Sequence, residues 1–219
     1  MDNDKPNRHD VLVQFRTKEI INAAIELFNR EGVAGVTMER VAELAGVAKG
    51  TLYLYFEDKG ELLGTVLKRV LELFVDTITK ALGKEGPLRP RLIRANEESI
   101  RMAAEHREIF DFVHRTQLIG EQPFIDKDDK QAPARPQVAK FLEAFTSLFQ
   151  EAMENGEIRR SDPELLTLLY LESLHAVLHV GLPKKVGLDA CAERDVHADA
   201  GFLIDLFLNG ISVSKDKEQ

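Results

Sequence analysis

Lys49, Gly50, Thr51, Tyr53 and Tyr55 all fall within the eight-residue stretch Lys49–Phe56. A helix built into a core would carry apolar groups at most of those positions. Here Leu52 and Phe56, four apart, can face a core while Lys49, Tyr53 and Tyr55 face outward. Gly50 costs a helix about 0.5–1 kcal/mol relative to alanine, and a close approach of the backbone to another surface would justify it. An outward cation, hydroxyls and bare backbone are the groups with which proteins hold phosphate.

The histidines invite a second chemistry. His175 and His179 lie four apart on one helical face, a spacing that can bind metal. No third and fourth ligand stands close in sequence, although Cys191 and His197 follow, so both are expected as core or interface histidines and no metal is expected. His106 and His114, eight apart beside Phe110 and Phe112, suit either a pocket wall or plain packing. Cys191 is the only cysteine, which excludes an internal disulfide; it is expected as a loop cysteine without a function. There is no Gly-rich phosphate loop, nucleophile elbow or carboxylate pair. An enzyme is not expected, nor is a cofactor.

The elements that position these residues are all helical. Ile20, Ala24, Leu27 and Phe28 recur at helical spacing between Phe15 and Arg30, and Gly32 follows as a stop. Residues 1–10 are expected to form a disordered arm. Thr37 is placed to cap a second helix, with Glu39 in its first turn, a stripe of Val41, Leu44 and Ala45, and Gly46 ending it. A third helix spans about Lys49–Phe56. Asp58 and Glu61 then open a fourth in the manner of a capping box, and it runs to about Leu82. Further helices are expected at about 91–105, 106–118, 137–155, 163–180 and 195–212. Loops are expected over Gly120–Pro136 and Gly181–Gly187. No segment alternates as a strand does, so the fold class is all-α. Two helices joined through Gly46–Ala48 make a helix-turn-helix.

Composition frames these readings without suggesting them. The chain has 219 residues, 44% hydrophobic and 30% charged, the balance of a soluble globular protein. No apolar run approaches a membrane span, and the polar N-terminus does not read as a secretion signal, so the cytoplasm is the expected location. The net charge is −8, the wrong sign for a general nucleic-acid binder. Even residues 1–60 hold 8 Lys+Arg against 10 Asp+Glu. Any binding of DNA must rest on a few well-placed groups.

The stretch Thr37-Met-Glu-Arg-Val-Ala-Glu-Leu-Ala-Gly-Val-Ala-Lys-Gly-Thr-Leu-Tyr-Leu-Tyr-Phe-Glu-Asp-Lys59 resembles the DNA-binding signature of the tetracycline-repressor (TetR) family. Order, spacing and residue types agree over about residues 16–63; the rest of the chain agrees only in being helical. The resemblance implies that Thr37 donates to a phosphate beside a helix N-terminus. It implies that Lys49, Gly50 and Thr51 open a recognition helix in the major groove. Tyr53 and Tyr55 would touch phosphates and thymine methyls, and Lys59 would grip a phosphate. Two positions depart from the family's common pattern: Ala48 stands where a capping Ser is frequent, and Leu54-Tyr55-Phe56 replaces Tyr-His-Phe.

The resulting expectation is a DNA-binding transcriptional repressor that is released from double-stranded operator DNA by a small-molecule effector. Residues 11–60 would read DNA, and 61–219 would bind the effector and form a homodimer through the helices at 163–180 and 195–212. Phe110, His114, Phe141, Phe145, Tyr170 and His175 are the candidates for lining the effector pocket. The alternative is a DNA-binding regulator without an effector, controlled by abundance or by a protein partner. A fully packed C-terminal core would favour that second reading.

Overall fold

Apolar residues at helical spacing wind the chain into one helix after another, and no strand forms among the described residues. The structure, a computed structural model, describes residues 8–83, 85–118, 135–181 and 195–211. The described residues divide into two compact units. One holds those up to Val70 together with 106–118; the other holds 71–105 and everything from 135 onward.

The first unit begins with α1 (Arg8–Gly35), which starts well before Ile20, the first periodic apolar residue. Part of the expected N-terminal arm is therefore helical, and the rest of that arm lies outside the described residues. Gly32 does interrupt the helix: it adopts φ 68°, ψ −172°, so α1 is two helical pieces across a kink. Only glycine takes this conformation without strain, and a Cβ there would also meet the Glu108 carboxylate at 3.3 Å. The core is built from Ile20, Ala24, Leu27 and Phe28 of α1, Val41 of α2 (Met38–Leu44) and Leu52 of α3 (Lys49–Leu52). Phe56, Leu62 and Val66 and Ile109 complete it, the last from α6 (Arg107–Leu118). Phe112 of α6 sets its edge against Phe28, with ring centroids 5.7 Å apart. Each such side chain taken fully from water contributes about 1.5–3 kcal/mol.

Helix α4 (Lys59–Leu82) opens as expected from Asp58, whose Oδ1 accepts from Glu61 N at 2.9 Å. The return bond lands one residue early, with Glu57 N donating to Glu61 Oε2 at 2.6 Å. Residues up to Val70 belong to the first unit and those from Leu71 to the second.

The second unit continues with α5 (Leu88–Glu105), α7 (Arg135–Glu154), α8 (Pro163–Gly181) and α9 (Val196–Ile211). Its buried centre joins Leu92 and Ile100 to Phe145, Leu148, Phe149, Tyr170, Leu174 and Ile204. Asp162 caps α8, accepting from Glu164 N at 2.9 Å, with Pro163 at the first helical position, where no amide is missed. Asp195 does the same for α9. Arg159 N donates to Ile211 O at 2.8 Å and Leu88 N donates to Glu157 Oε2 at 2.7 Å, tying the ends of α9 and α5 to the turn after α7. Most of both expected loops lies outside the described residues, as does Cys191, although Arg135 and Pro136 already belong to α7.

Candidate nucleic-acid interface

Thr37 sits in an extended conformation before α2, and its Oγ1 accepts from Arg40 N at 3.3 Å. That bond uses a lone pair and leaves the hydroxyl proton free to donate outward. Arg40 is itself clamped: its guanidinium pairs with the Glu31 carboxylate, Nη2 to Oε1 at 2.5 Å, and Nη1 donates to Gly35 O at 3.0 Å. The turn after α1 and the start of α2 are thereby held as one piece.

The turn itself is a Schellman closure. Gly46 takes φ 66°, its N donates to Glu43 O at 3.1 Å, and Val47 N donates to Ala42 O at 3.0 Å. Ala48 then precedes α3 in an extended conformation with no side-chain cap. Regular α-geometry lasts only from Lys49 to Leu52, shorter than the helix expected to Phe56. Beyond it the chain tightens: Leu54 N donates to Thr51 O at 3.1 Å and Tyr55 N to Leu52 O at 3.0 Å. At three residues per turn, Tyr55 comes to lie over Leu52. The expected outward pair therefore divides, with Tyr53 outward at 45% exposure and Tyr55 half-buried against the core. Between them Leu54 is left 84% exposed, more than any other large apolar side chain among the described residues.

Lys49 is exposed and pairs with Glu39 across the turn, its ammonium 6.0 Å from the centroid of the Tyr53 ring. The hydrogen bond from Lys49 holds the Glu39 carboxyl below its ordinary range, and the same bond raises Lys49. Periodicity did not point to this pair, because the two residues are ten apart on different helices. Gly50 is exposed, and a Cβ there would meet nothing within 4 Å. Lys59 is half-buried, and its Nζ donates to Val33 O at 2.6 Å, fastening the start of α4 to the segment after the kink at Gly32.

The candidates for an effector pocket separate between the units. Phe110 packs on the buried cluster of the first unit, and the side chain of His114 lies outside the described residues. His106, which follows α5 and precedes α6 in the sequence, is buried, with its Nδ1 3.2 Å from Asn29 Nδ2. In the second unit the rings run in sequence: Phe141 to Phe145 at 5.2 Å, Phe145 to Tyr170 at 5.8 Å. Tyr170 is fully buried and donates its hydroxyl to Asn96 Oδ1 at 2.8 Å. Burial pushes the phenol well above its ordinary range, so it stays a donor throughout the physiological range. His175 is half-buried on α8 and His197 exposed on α9. Among the described residues no three ligating side chains converge on a metal position.

These observations define a helix-turn-helix DNA-binding protein, and the comparisons agree. The sequence model of the family described as "Bacterial regulatory proteins, tetR family" matches residues 20–66. An uncharacterized HTH-type transcriptional regulator of Bacillus subtilis, YhgD, is 26% identical over 166 residues, 74% of this chain and 82% of that protein. An HTH-type regulator of Haemophilus influenzae is 39% identical over 70 residues, but the match covers only 37% of its length. Among solved structures, a putative TetR-family regulator from Mesorhizobium loti superposes with a TM-score of 0.71 at 22% identity, covering 91% of this chain and 98% of that one. The regulator FadR from Bacillus subtilis in complex with stearoyl-CoA gives 0.66 at 18%, covering 89% and 98%. At these identities the superpositions speak for the fold alone. Residues 20–66 thus match the DNA-binding domain of the tetR family, and the protein is a DNA-binding transcriptional regulator.

Proposed function

We propose that the protein is a homodimeric repressor, released from its operator when a small apolar molecule occupies the second unit. Residues 11–60 serve as the reading head; 61–219 serve as the effector-binding and dimerising part, and the protein works in the cytoplasm. Thr37, Lys49, Gly50, Thr51, Tyr53, Tyr55 and Lys59 contact the duplex, with Lys49 to Tyr53 in the major groove. The single observation that carries this reading is the bare surface at Gly50. Its backbone has no positive φ and a Cβ would strike nothing in the protein, so nothing inside the chain calls for glycine, and its absent side chain leaves the backbone open to a close approach from outside.

Release follows from differential affinity. An effector that prefers one arrangement of the dimer shifts the population towards it, and DNA is lost when the two recognition helices no longer match major grooves about 34–36 Å apart. The aromatic lining of the second unit suits an apolar effector, and the similar fold of FadR with its stearoyl-CoA is consistent with one. The complete burial of Phe145 and Tyr170 favours the alternative, a regulator without an effector.

In vitro selection from a random duplex library should enrich one sequence. On that sequence Lys49→Ala and Tyr53→Ala should each lose about 1–3 kcal/mol of binding with unchanged circular dichroism. Failure to enrich any sequence, or full affinity in both variants, sinks the assigned DNA face.

A further inference from the structure

Asn96 of α5 is 2% exposed at the centre of the second unit. Its Oδ1 accepts the Tyr170 hydroxyl, and its Nδ2 has no hydrogen-bond partner among the described residues. Turning the amide over does not remove the deficit. Nδ2 would then give one hydrogen to the phenol, leaving its other hydrogen, Oδ1 and the phenol's own hydrogen unpaired. In either orientation an N–H is left over, in a place where burial makes that costly. An apolar residue of similar volume would fill the position without this penalty.

The surroundings are aromatic and graded in exposure. Tyr170 touches Phe145, Phe149 and Phe207 at 5.8, 5.9 and 5.1 Å between centroids. From Phe145 the rings continue to Phe141 at 5.2 Å and on to Phe74 at 5.5 Å, both only half-buried. A track of rings thus leads from the half-exposed Phe74 and Phe141 to one unsatisfied donor. Among the described residues no lysine or arginine is buried along it to attract a charged head by itself.

We infer that Asn96 is the polar anchor of the effector site, and that the ligand is an apolar molecule carrying a carbonyl or carboxylate oxygen that accepts from Asn96 Nδ2. Tyr170 is a positioning residue: by donating to Oδ1 it turns Nδ2 towards the ligand. The inference rests on the effector reading above and gives that effector a chemical class.

The test uses two ten-carbon probes with an acceptor, decanoic acid and 2-decanone, and one without, decylammonium. On the full-length wild type the acceptor probes should raise Tm and shift the side-chain amide resonance of Asn96 downfield; decylammonium should do neither. Asn96→Leu should melt no lower than wild type, bind DNA as before, and bind the acceptor probes at least tenfold more weakly. Tyr170→Phe should keep binding but weaken it several-fold. Equal binding of acceptor probes to wild type and Asn96→Leu, or an unmoved Asn96 resonance with probe bound, overturns the assignment; the resonance decides even if Asn96→Leu fails to fold. If a cell metabolite extract releases the wild type from DNA but neither acceptor probe binds, the ligand class is wrong and the effector reading stands. If the extract does not release it either, the effector reading fails and takes this inference with it.

Discussion

At the scale of single residues, the Glu39–Lys49 pair stands on the surface proposed to meet DNA. In the free protein the carboxylate holds the lysine that is assigned to the duplex, and the same carboxylate stands in the first turn of α2, beside the position expected for a phosphate. Glu39→Gln frees the lysine and removes a like charge from the phosphate's path. Affinity for random-sequence duplex should rise several-fold, and the slope of log K against log salt should steepen by about 1; unchanged anisotropy titrations across a salt series would count against the pair. The pH sign is set by the lowered carboxyl of Glu39: the pairing is present above the ordinary carboxylate range and is lost as pH falls through the depressed value. Lys59 has an internal duty beside its assigned phosphate, because its bond to Val33 O secures the start of α4.

At the scale of elements, the helix-turn-helix was legible because its signals are local. Thr37, Gly46 and Asp58 each do with the backbone what their residue types suggest, and the apolar spacing of α1 and α4 matches their buried faces. The recognition element was misread in length and in one direction. The tightening after Leu52 leaves no mark in the apolar pattern, so Tyr55 was expected outside and Leu54 was overlooked. The pocket candidates fall in different units, which the sequence did not signal: Phe110 follows α5 closely in sequence, but the chain changes units at His106. Asn96 carried no signal at all, since a lone Asn in an amphipathic helix reads as surface. The bare start of α3 gives an element-scale test. Ala48 already has the extended backbone of an N-cap, so Ala48→Ser should accept from an α3 amide and add about 0.5–2 kcal/mol of stability. Thermal melts check this, and an unchanged or lower Tm would mean the serine cannot reach.

At the scale of the whole molecule, a net charge of −8 keeps general attraction to DNA low and leaves binding to a small set of groups. The helices assigned to dimerisation carry the apolar surface that this role needs: Leu165, Leu168 and Leu169 of α8 are about half exposed, and Phe202 and Leu206 of α9 more so. Exposed apolar side chains of this kind are what the proposed association surface would need. Leu168→Glu combined with Leu206→Glu should abolish the dimer by placing unpaired carboxylates in the contact. Sedimentation velocity at micromolar protein should then give a monomer, and a dimer that survives both changes would remove α8 and α9 from the interface. A reading head proposed to work only in pairs would also set how the regulated gene responds to supply. While most of the protein is monomeric, dimer rises with the square of the total, so halving synthesis lowers the occupancy of an unsaturated operator by more than half. On the proposed dimer, the exposed leucines of α8 and α9 would act as a threshold in the circuit, sharpening a graded change in protein abundance into a steeper change in transcription.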